Sequence, residues 1–529
     1  METIFSQRGR PVFVLGGQAH NSSTYSARDR ELFWKALDAL NANTAEIPVY
    51  WEAVEPEEGR FDFSQVDTLF QEAAAHDKYL ILLWFGTWKN GNMRYVPAWV
   101  KLDSRRFKRV LSGEGNSLFV LSSHCEENRE ADARAFAAFM GRCKTLNADG
   151  RLLAVQVENE AGIAGRSYRD FSPLGQADYE RAVPEGLLDL IEQNSDTELF
   201  AQWESMGKKR GAAWEESFGI KAGAENLTAY STASYIDKVA AAGKEVCDIP
   251  LYTNAALDGY VYGWNLPGIN YTGGGPIPRL YPIWKYAAPH LDLLAPDIYH
   301  NSRRIYEEVC RRYNQEDNAL FVPESGYRGI GNAKNLFYAL GTYGAVGYAV
   351  FGVEGILTKE GTPDPRCREL LDSFASISAA LPLLTKHRGT GRIHTVVQEE
   401  FDEGWHYRTE AYIVKVDFSP NRMTNYIHRA IEESSRSGGP SRGRGLIIQE
   451  GRDEFFILGT DFTVTFAPRD DIFYSEDRIT NHMPYLTVEE GRFDSAGRWI
   501  RERTRTGDEC DHGIWVFAEN RVVRCVLCP

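Results

Sequence analysis

From the N-terminus to about residue 380, short apolar runs alternate with longer amphipathic or polar stretches, and this rhythm constrains the chain more than any other feature. It is the pattern of repeated βα units around a parallel sheet. Strands are expected at 12–15, 44–50, 79–84, 152–157, 249–253, 291–296, 319–323 and 345–351. Eight such units close a (β/α)8 TIM barrel, an α/β fold. Apolar residues recurring at three and four predict outer helices over 26–40, 63–76 and 130–146. The interval from Glu160 to the strand at 249 exceeds what one βα unit requires. It holds a helix-like stretch at 179–194 and an aromatic, glycine-spaced segment at 200–219, and reads as an insertion over the site.

After residue 381 the pattern becomes β-rich alternation, at 394–398, 412–418, 445–449, 454–458 and 462–466. A chain of 529 residues outgrows one ordinary core, which stops growing near ~250–300 residues. The expected division is a catalytic barrel over 1–380 and a β-rich, sandwich-like accessory domain over 381–529. Within the latter, EESSRSGGPSRGRG at 432–445 has the composition of a mobile surface loop.

Composition excludes several classes of function. A formal net charge of -15 repels phosphate backbones, and the basic stretch at 436–444 is too short and glycine-rich to offset it, so no nucleic-acid partner is expected. No run approaches a membrane span, and residues 1–13 lack the apolar core of a secretory signal, which makes the cytoplasm the expected compartment. The eight cysteines lack the spacing of a disulfide scaffold. Cys510, His512, Cys525 and Cys528 could supply zinc ligands, but the last pair falls in or beside a strand-like run whose residues three apart face opposite sides. Plain strand packing is the favoured reading, and no metal or other cofactor is expected.

Three strand ends carry the chemistry. In AVQVENEAG (154–162) an alternating apolar run stops at two carboxylates and an amide, so Asn159 and Glu160 should point into the mouth of the barrel, where such folds place their active sites. In LFVPESGY (320–327) a second run ends at the single carboxylate Glu324. In LLAPDIYH (293–300) a third places Asp297 and Tyr299 between them. Each motif alone is as readily a structural carboxylate cluster, a solvated loop acid or a satisfied tyrosine. Together they have the makings of a retaining glycosidase, which needs one protonated carboxyl and one ionised carboxylate about 5–5.5 Å apart. A tyrosine hydroxyl beside the nucleophile would favour its ionised form. Aromatic rings that could pack on sugar C–H faces include Trp84, Trp88, Trp99, Trp203, Tyr262 and Trp264, with Trp88, Lys89 and Asn90 best placed at the end of strand three.

With VLGGQAHNSS (14–23) and VYWEAVEPEEGRFDF (49–63) added to these segments, the barrel resembles glycoside hydrolase family 35, the β-galactosidase family. The resemblance implies a retaining, exo-acting β-galactosidase in which Glu160 is the acid/base, Glu324 the nucleophile, Asn159 the amide on the substrate 2-hydroxyl and Tyr299 the group orienting Glu324. RGRGLIIQEGRDEFFILGTDFTVTF and GRFDSAGRWIRERTRTGDE look like the uncharacterised β-domain attached to a bacterial branch of that family. Two segments depart from the family pattern. WFGTWKNGNMRYVPAW (84–99) replaces the usual galactose-binding segment, and Ser325-Gly326-Tyr327 follows the nucleophile in place of the frequent aromatic pair. The sugar therefore stays open among galactose, glucose and fucose.

Two other classes compete. A metal-dependent barrel hydrolase would need histidines gathered at strand ends, whereas His20 and His300 stand without an H-x-H pair and are placed to support substrate hydroxyls. A noncatalytic carbohydrate-binding barrel would share the fold without the reaction. The partner expected is an oligosaccharide or glycoside, with a symmetric homo-oligomer as the expected assembly.

Overall fold

The computed structural model describes residues 4–258, 266–418, 442–469, 484–506, 509–510, 513–518 and 521–528. Eight parallel strands form the barrel: β1 (Val14–Gln18), β2 (Thr44–Tyr50), β3 (Tyr79–Lys89), β4 (Leu152–Asn159), β5 (Leu251–Ala255), β6 (Leu293–Ile298), β7, and β8 (Gly347–Phe351). Strand β7 has two short pieces, Phe321–Val322 against β8 and Glu324–Ser325 against β6, separated by Pro323, which lacks a ladder donor. Its two pairings close the ring. A helix follows each strand: α1 (Ala27–Ala39), α2 (Ser64–Ala75), α3 (Glu126–Leu146), α4 (Ile220–Val246), α5 (Tyr281–Ala287), α6 (Arg303–Tyr313), α7 (Gly329–Phe337) and α8 (Arg368–Ser378). The chain is a (β/α)8 barrel followed by antiparallel β sheets.

Ile81, Leu83, Leu293 and Phe321 fill the lumen, and Phe5, lying edge-on to Phe321 with ring centres 5.1 Å apart, plugs its lower end. This packed floor leaves only the upper end open to a ligand. Between β4 and α4 the insertion carries helices at Pro173–Tyr179, Glu185–Gln193, Glu198–Ser205 and Trp214–Phe218, so the single helix expected at 179–194 is shorter and begins later. Helix α4 is buried on most sides and approaches α3 so closely that a Cβ on Gly243 would sit 2.3 Å from the Phe136 ring.

Beyond α8 lie a six-stranded and a four-stranded antiparallel sheet. The first runs β9 (Ile393–Val397), β12 (Arg444–Gln449), β13 (Glu454–Thr460), β18 (Val522–Leu527), β15 (Tyr485–Phe493), β16 (Trp499–Arg505). The second runs β10 (Gly404–Arg408), β11 (Tyr412–Asp417), β14 (Phe462–Pro468), β17 (Ile514–Val516). Val396, Val414, Ile447, Ile457, Phe462 and Ile514 form a core shared by both sheets. Arg444, buried in β12, reaches across to α8, donating to Ser373 Oγ and the Glu369 carbonyl at 3.0 Å each. Charged groups buried in this way need such partners. Cys525 is buried in β18 and Cys528 exposed beyond it, so the pair does not share one pocket. His512, and most of the loop expected at 432–445, lie outside the described residues.

Candidate active site

The site is assembled where β3 and β4 depart from regular pairing. Glu158 and Glu160 both adopt left-handed backbone, φ 65° and 46°, and this overrides the simple alternation of the E-N-E triplet. Glu158 is turned out of the site into the layer beneath α3. There its carboxylate accepts from the Thr87 N–H at 3.0 Å and the Trp88 N–H at 2.6 Å. It lies beside Asp132, whose carboxylate accepts from Trp84 Nε1 at 2.9 Å. Burial, and then the charge of Asp132, pushes Glu158 well above the usual carboxylate range. Gly86 is required here, because a Cβ would lie 2.6 Å from Glu158 and 2.8 Å from Asp132.

This buried pair fixes the bulge between Trp84 and Lys89, across which the β3–β4 register jumps to put Lys89 opposite Asn159. Lys89 donates through Nζ to Asn159 Oδ1. Asn90 donates through its side chain to Glu160 Oε2, while the Asn90 and Gly91 N–H groups bond the carbonyls of Asn159 (3.1 Å) and Glu160 (3.0 Å). Trp88 does not behave as its sequence position implied. Its ring is 1% exposed and packs edge-on against Tyr235 at 4.8 Å, because the bulge sends residue 88 outward and residue 89 inward. Trp84 and Trp203 are also core residues, and Tyr262 and Trp264 lie outside the described residues.

The register of β6 against β7 sets Asp297 beside Glu324. Glu324 Oε1 accepts from Asn159 Nδ2 at 3.2 Å and Asn254 Nδ2 at 3.4 Å, and Oε2 accepts from the Tyr299 hydroxyl at 2.7 Å. Carboxylate oxygens of Glu160, Asp297 and Glu324 lie within 4.8 Å of one another. Burial, then the charge of Glu324, pushes Glu160 up to about 7. Burial and the neighbouring charges of Glu324 and Glu160 likewise hold Asp297 well above the carboxylate range. Tyr299 is raised by burial and by Glu324, so its hydroxyl stays a donor, while its ring remains 47% exposed on the wall of the site. His20 sits on the rim, where its N–H bonds Glu354 and its ring lies 5.6 Å from Phe351. The His300 carbonyl accepts from Asn335 at 2.8 Å.

Two site residues escaped the sequence reading. Asn254, at the end of β5, accepts from the Glu160 N–H at 2.8 Å and donates to Asp297 Oδ2 at 2.8 Å as well as to Glu324. Its signal is a lone amide closing the apolar run LYTNA, one residue beyond the expected end of that strand. Glu46 is fully buried in the lumen, with Gly16 leaving room for its carboxyl, and burial together with the charge of Glu324 raises it well above its ordinary range.

The three grouped carboxyls could present oxygens to a hard cation. The donors around Glu324 already address both of its oxygens, and the Lys89 ammonium stands close by. That surrounding suits a free carboxylate that reacts in its own right.

Fold and site together define a (β/α)8 barrel with paired carboxyls at the ends of strands four and seven. A family described as a domain of unknown function (DUF5597) matches residues 370–517. A "Beta-galactosidase" of Xanthomonas manihotis is 32% identical over 184 residues, a stretch covering 32% of this chain and 26% of that protein. Among solved structures, the catalytic domain of a β-amylase from Paenibacillus polymyxa matches with TM-score 0.49 and 12% identity, over 68% of this chain and 97% of that one. A β-galactosidase from Bacillus circulans sp. alkalophilus matches with TM-score 0.48 and 14% identity, over 70% of this chain and 57% of that one.

Proposed function

We propose that the chain is a retaining, exo-acting β-glycosidase that removes terminal β-linked galactose, and that its barrel belongs with glycoside hydrolase family 35. The observation that carries this reading is the Glu160–Glu324 pair, whose oxygens approach within 4.8 Å while Glu160 titrates near 7. The short separation suits direct attack by one carboxylate, since an inverting pair stands about 6.5–9.5 Å apart to admit a water. The stretch shared with the Xanthomonas manihotis protein supports galactose as the glycone.

In this mechanism Glu324 attacks the anomeric carbon and forms a glycosyl ester, while Glu160 delivers its proton to the departing oxygen. Esterification removes the charge on Glu324 that helped raise Glu160, so Glu160 becomes the base that takes a proton from the incoming water. Tyr299 orients Glu324, Asn159 stands where a 2-hydroxyl would meet the nucleophile, and Lys89, Asn90, Asp297 and His20 supply polar partners to the remaining hydroxyls. Residues 381–529 serve as an accessory domain. No helix among the described residues is long and apolar enough to cross a membrane. The cytoplasm is the compartment that goes with this reading, and Cys125, Cys143, Cys247, Cys310 and Cys367 are buried thiols of the barrel.

The test is a panel of aryl β-galactosides, β-glucosides and β-fucosides with Glu160→Ala and Glu324→Ala. The proposal requires the highest kcat/KM on the galactoside, near-complete loss of turnover in both folded variants, and rescue of at least one by azide. Full activity in either variant refutes it.

A further inference from the structure

A second cavity, of about 540 Å³, lies where the lower end of the barrel meets the β sheets. Its barrel side is formed by Asn314, between α6 and β7, and by residues 341–344, between α7 and β8. Loops that lead from a helix into a strand lie at the end of a barrel opposite the catalytic mouth, so this cavity is separate from the Glu160–Glu324 site. Its other wall carries Trp405, on the edge strand β10, and His394, on β9. Tyr407 lies between these two rings, stacked on His394 at 3.8 Å and tilted against Trp405 at 5.5 Å.

Among the polar lining groups His387 pairs with Glu450, Thr342 bonds Thr395, and Asn314 donates to the Tyr343 carbonyl, whereas Arg388 and the His394 ring stand apart from such pairings. Arg388 lines the cavity half-buried, and its guanidinium has neither a hydrogen bond nor an ion pair among the described residues. Burial lowers its proton affinity with no carboxylate to offset the effect. His394 is held down to about 4 by burial and is neutral at physiological pH, free to donate or accept at its ring nitrogens. No aspartate or glutamate is among the described lining residues, although the whole chain carries a net charge of -15.

We propose that this cavity is a noncatalytic binding site for a saccharide bearing a carboxylate, a uronic acid residue. The volume suits one to two sugar rings, within the range of about 300–1,000 Å³ typical of ligand pockets. Trp405 offers a ring edge or face to sugar C–H groups. The Arg388 fork matches a carboxylate with two parallel hydrogen bonds, and the half-buried setting strengthens that pairing over one in open water. His394 and Asn314 are placed for hydroxyls. A site of this kind would hold an acidic polysaccharide by a segment other than the one being cleaved.

The experiment is calorimetric titration of the full chain with trigalacturonate, galactotriose and inorganic phosphate, repeated on Arg388→Gln and Trp405→Ala. Trigalacturonate should bind the unaltered chain, with galactotriose and both variants about tenfold or more weaker, the size expected when a charge-assisted pair is lost. Arg388→Gln changes a half-buried side chain whose guanidinium has no partner among the described residues, and keeps the test sound should Trp405→Ala unfold. No binding of trigalacturonate, equal binding by Arg388→Gln, or phosphate binding as tightly as the saccharide would each overturn the proposal. The readout is binding rather than turnover, so it stands or falls independently of the glycosidase assignment.

Discussion

The Tyr299 hydroxyl donates to Glu324 Oε2 at 2.7 Å, while amides from Asn159 and Asn254 address the other oxygen. One oxygen is thereby held by a phenol just beyond the end of β6 and the other by amides of strands β4 and β5, which aims the carboxylate across the mouth of the barrel. Tyr299→Phe keeps the ring and removes only this donor. A hydrogen bond to a charged group contributes about 1.5–3 kcal/mol. Kcat should therefore fall about 10- to 100-fold with the fold intact. Steady-state kinetics and a circular dichroism melt check both halves of that expectation.

In the proposed mechanism Glu160 is protonated when the leaving group departs, and burial with the charge of Glu324 pushes it up to about 7. Activity should decline as pH rises through about 7. In Glu160→Gln this basic limb should vanish, and a dinitrophenyl glycoside, whose leaving group needs no proton, should retain far more glycosylation rate than an alkyl glycoside. A pH profile of kcat/KM on both substrates reads this out.

Asn254 ties three site groups together: the Glu160 N–H, Asp297 and Glu324. Asn254→Ala strands buried polar groups that cost about 1–3 kcal/mol each when unpaired. We expect kcat/KM to drop about 100-fold and Tm to fall, the first from misplacement of both carboxyls. Asn254→Asp should be worse for activity, since it sets a further negative charge beside Glu324 and Asp297. Kinetics and calorimetry on the two variants separate charge from lost contact.

Glu158 and Asp132 act at a distance, by holding the bulge that carries Lys89 and Asn90. Glu158→Gln keeps an acceptor for one of the two N–H groups, so it should lower Tm by less than Glu158→Ala. Glu158→Ala leaves the Thr87 and Trp88 N–H groups without partners and should lower Tm by several degrees, at about 1–3 kcal/mol per buried unpaired group. Thermal melts of the two variants side by side test the assignment.

All eight barrel strands are legible in the sequence because each is buried on both faces and reads as a nearly continuous apolar run. The ends of β4 and β7 are legible for the same reason, since a carboxylate that stops such a run stands out. What is illegible is set by backbone geometry and by neighbours. Left-handed residues at 158 and 160 send one glutamate outward and its neighbour inward, which alternation does not foresee. The same bulge buries Trp88 and leaves Lys89 and Asn90 at the site. Helix α4 shows no apolar stripe because it is covered on most sides, with small residues admitting α3. In the β region, Tyr485–Phe493 and Trp499–Arg505 alternate partly exposed polar with apolar residues and carry too many charges to read as strands, although paired arginines and glutamates such as Arg505–Glu490 hold them together.

The central claim is that Glu324 attacks the sugar directly while Glu160 supplies and then recovers the proton. Proton NMR of the first-formed sugar, recorded before mutarotation during hydrolysis of an aryl β-galactoside, tests it most directly. The account predicts the β anomer as initial product. Initial appearance of the α anomer would contradict it, because inversion requires a water, not Glu324, as the attacking group.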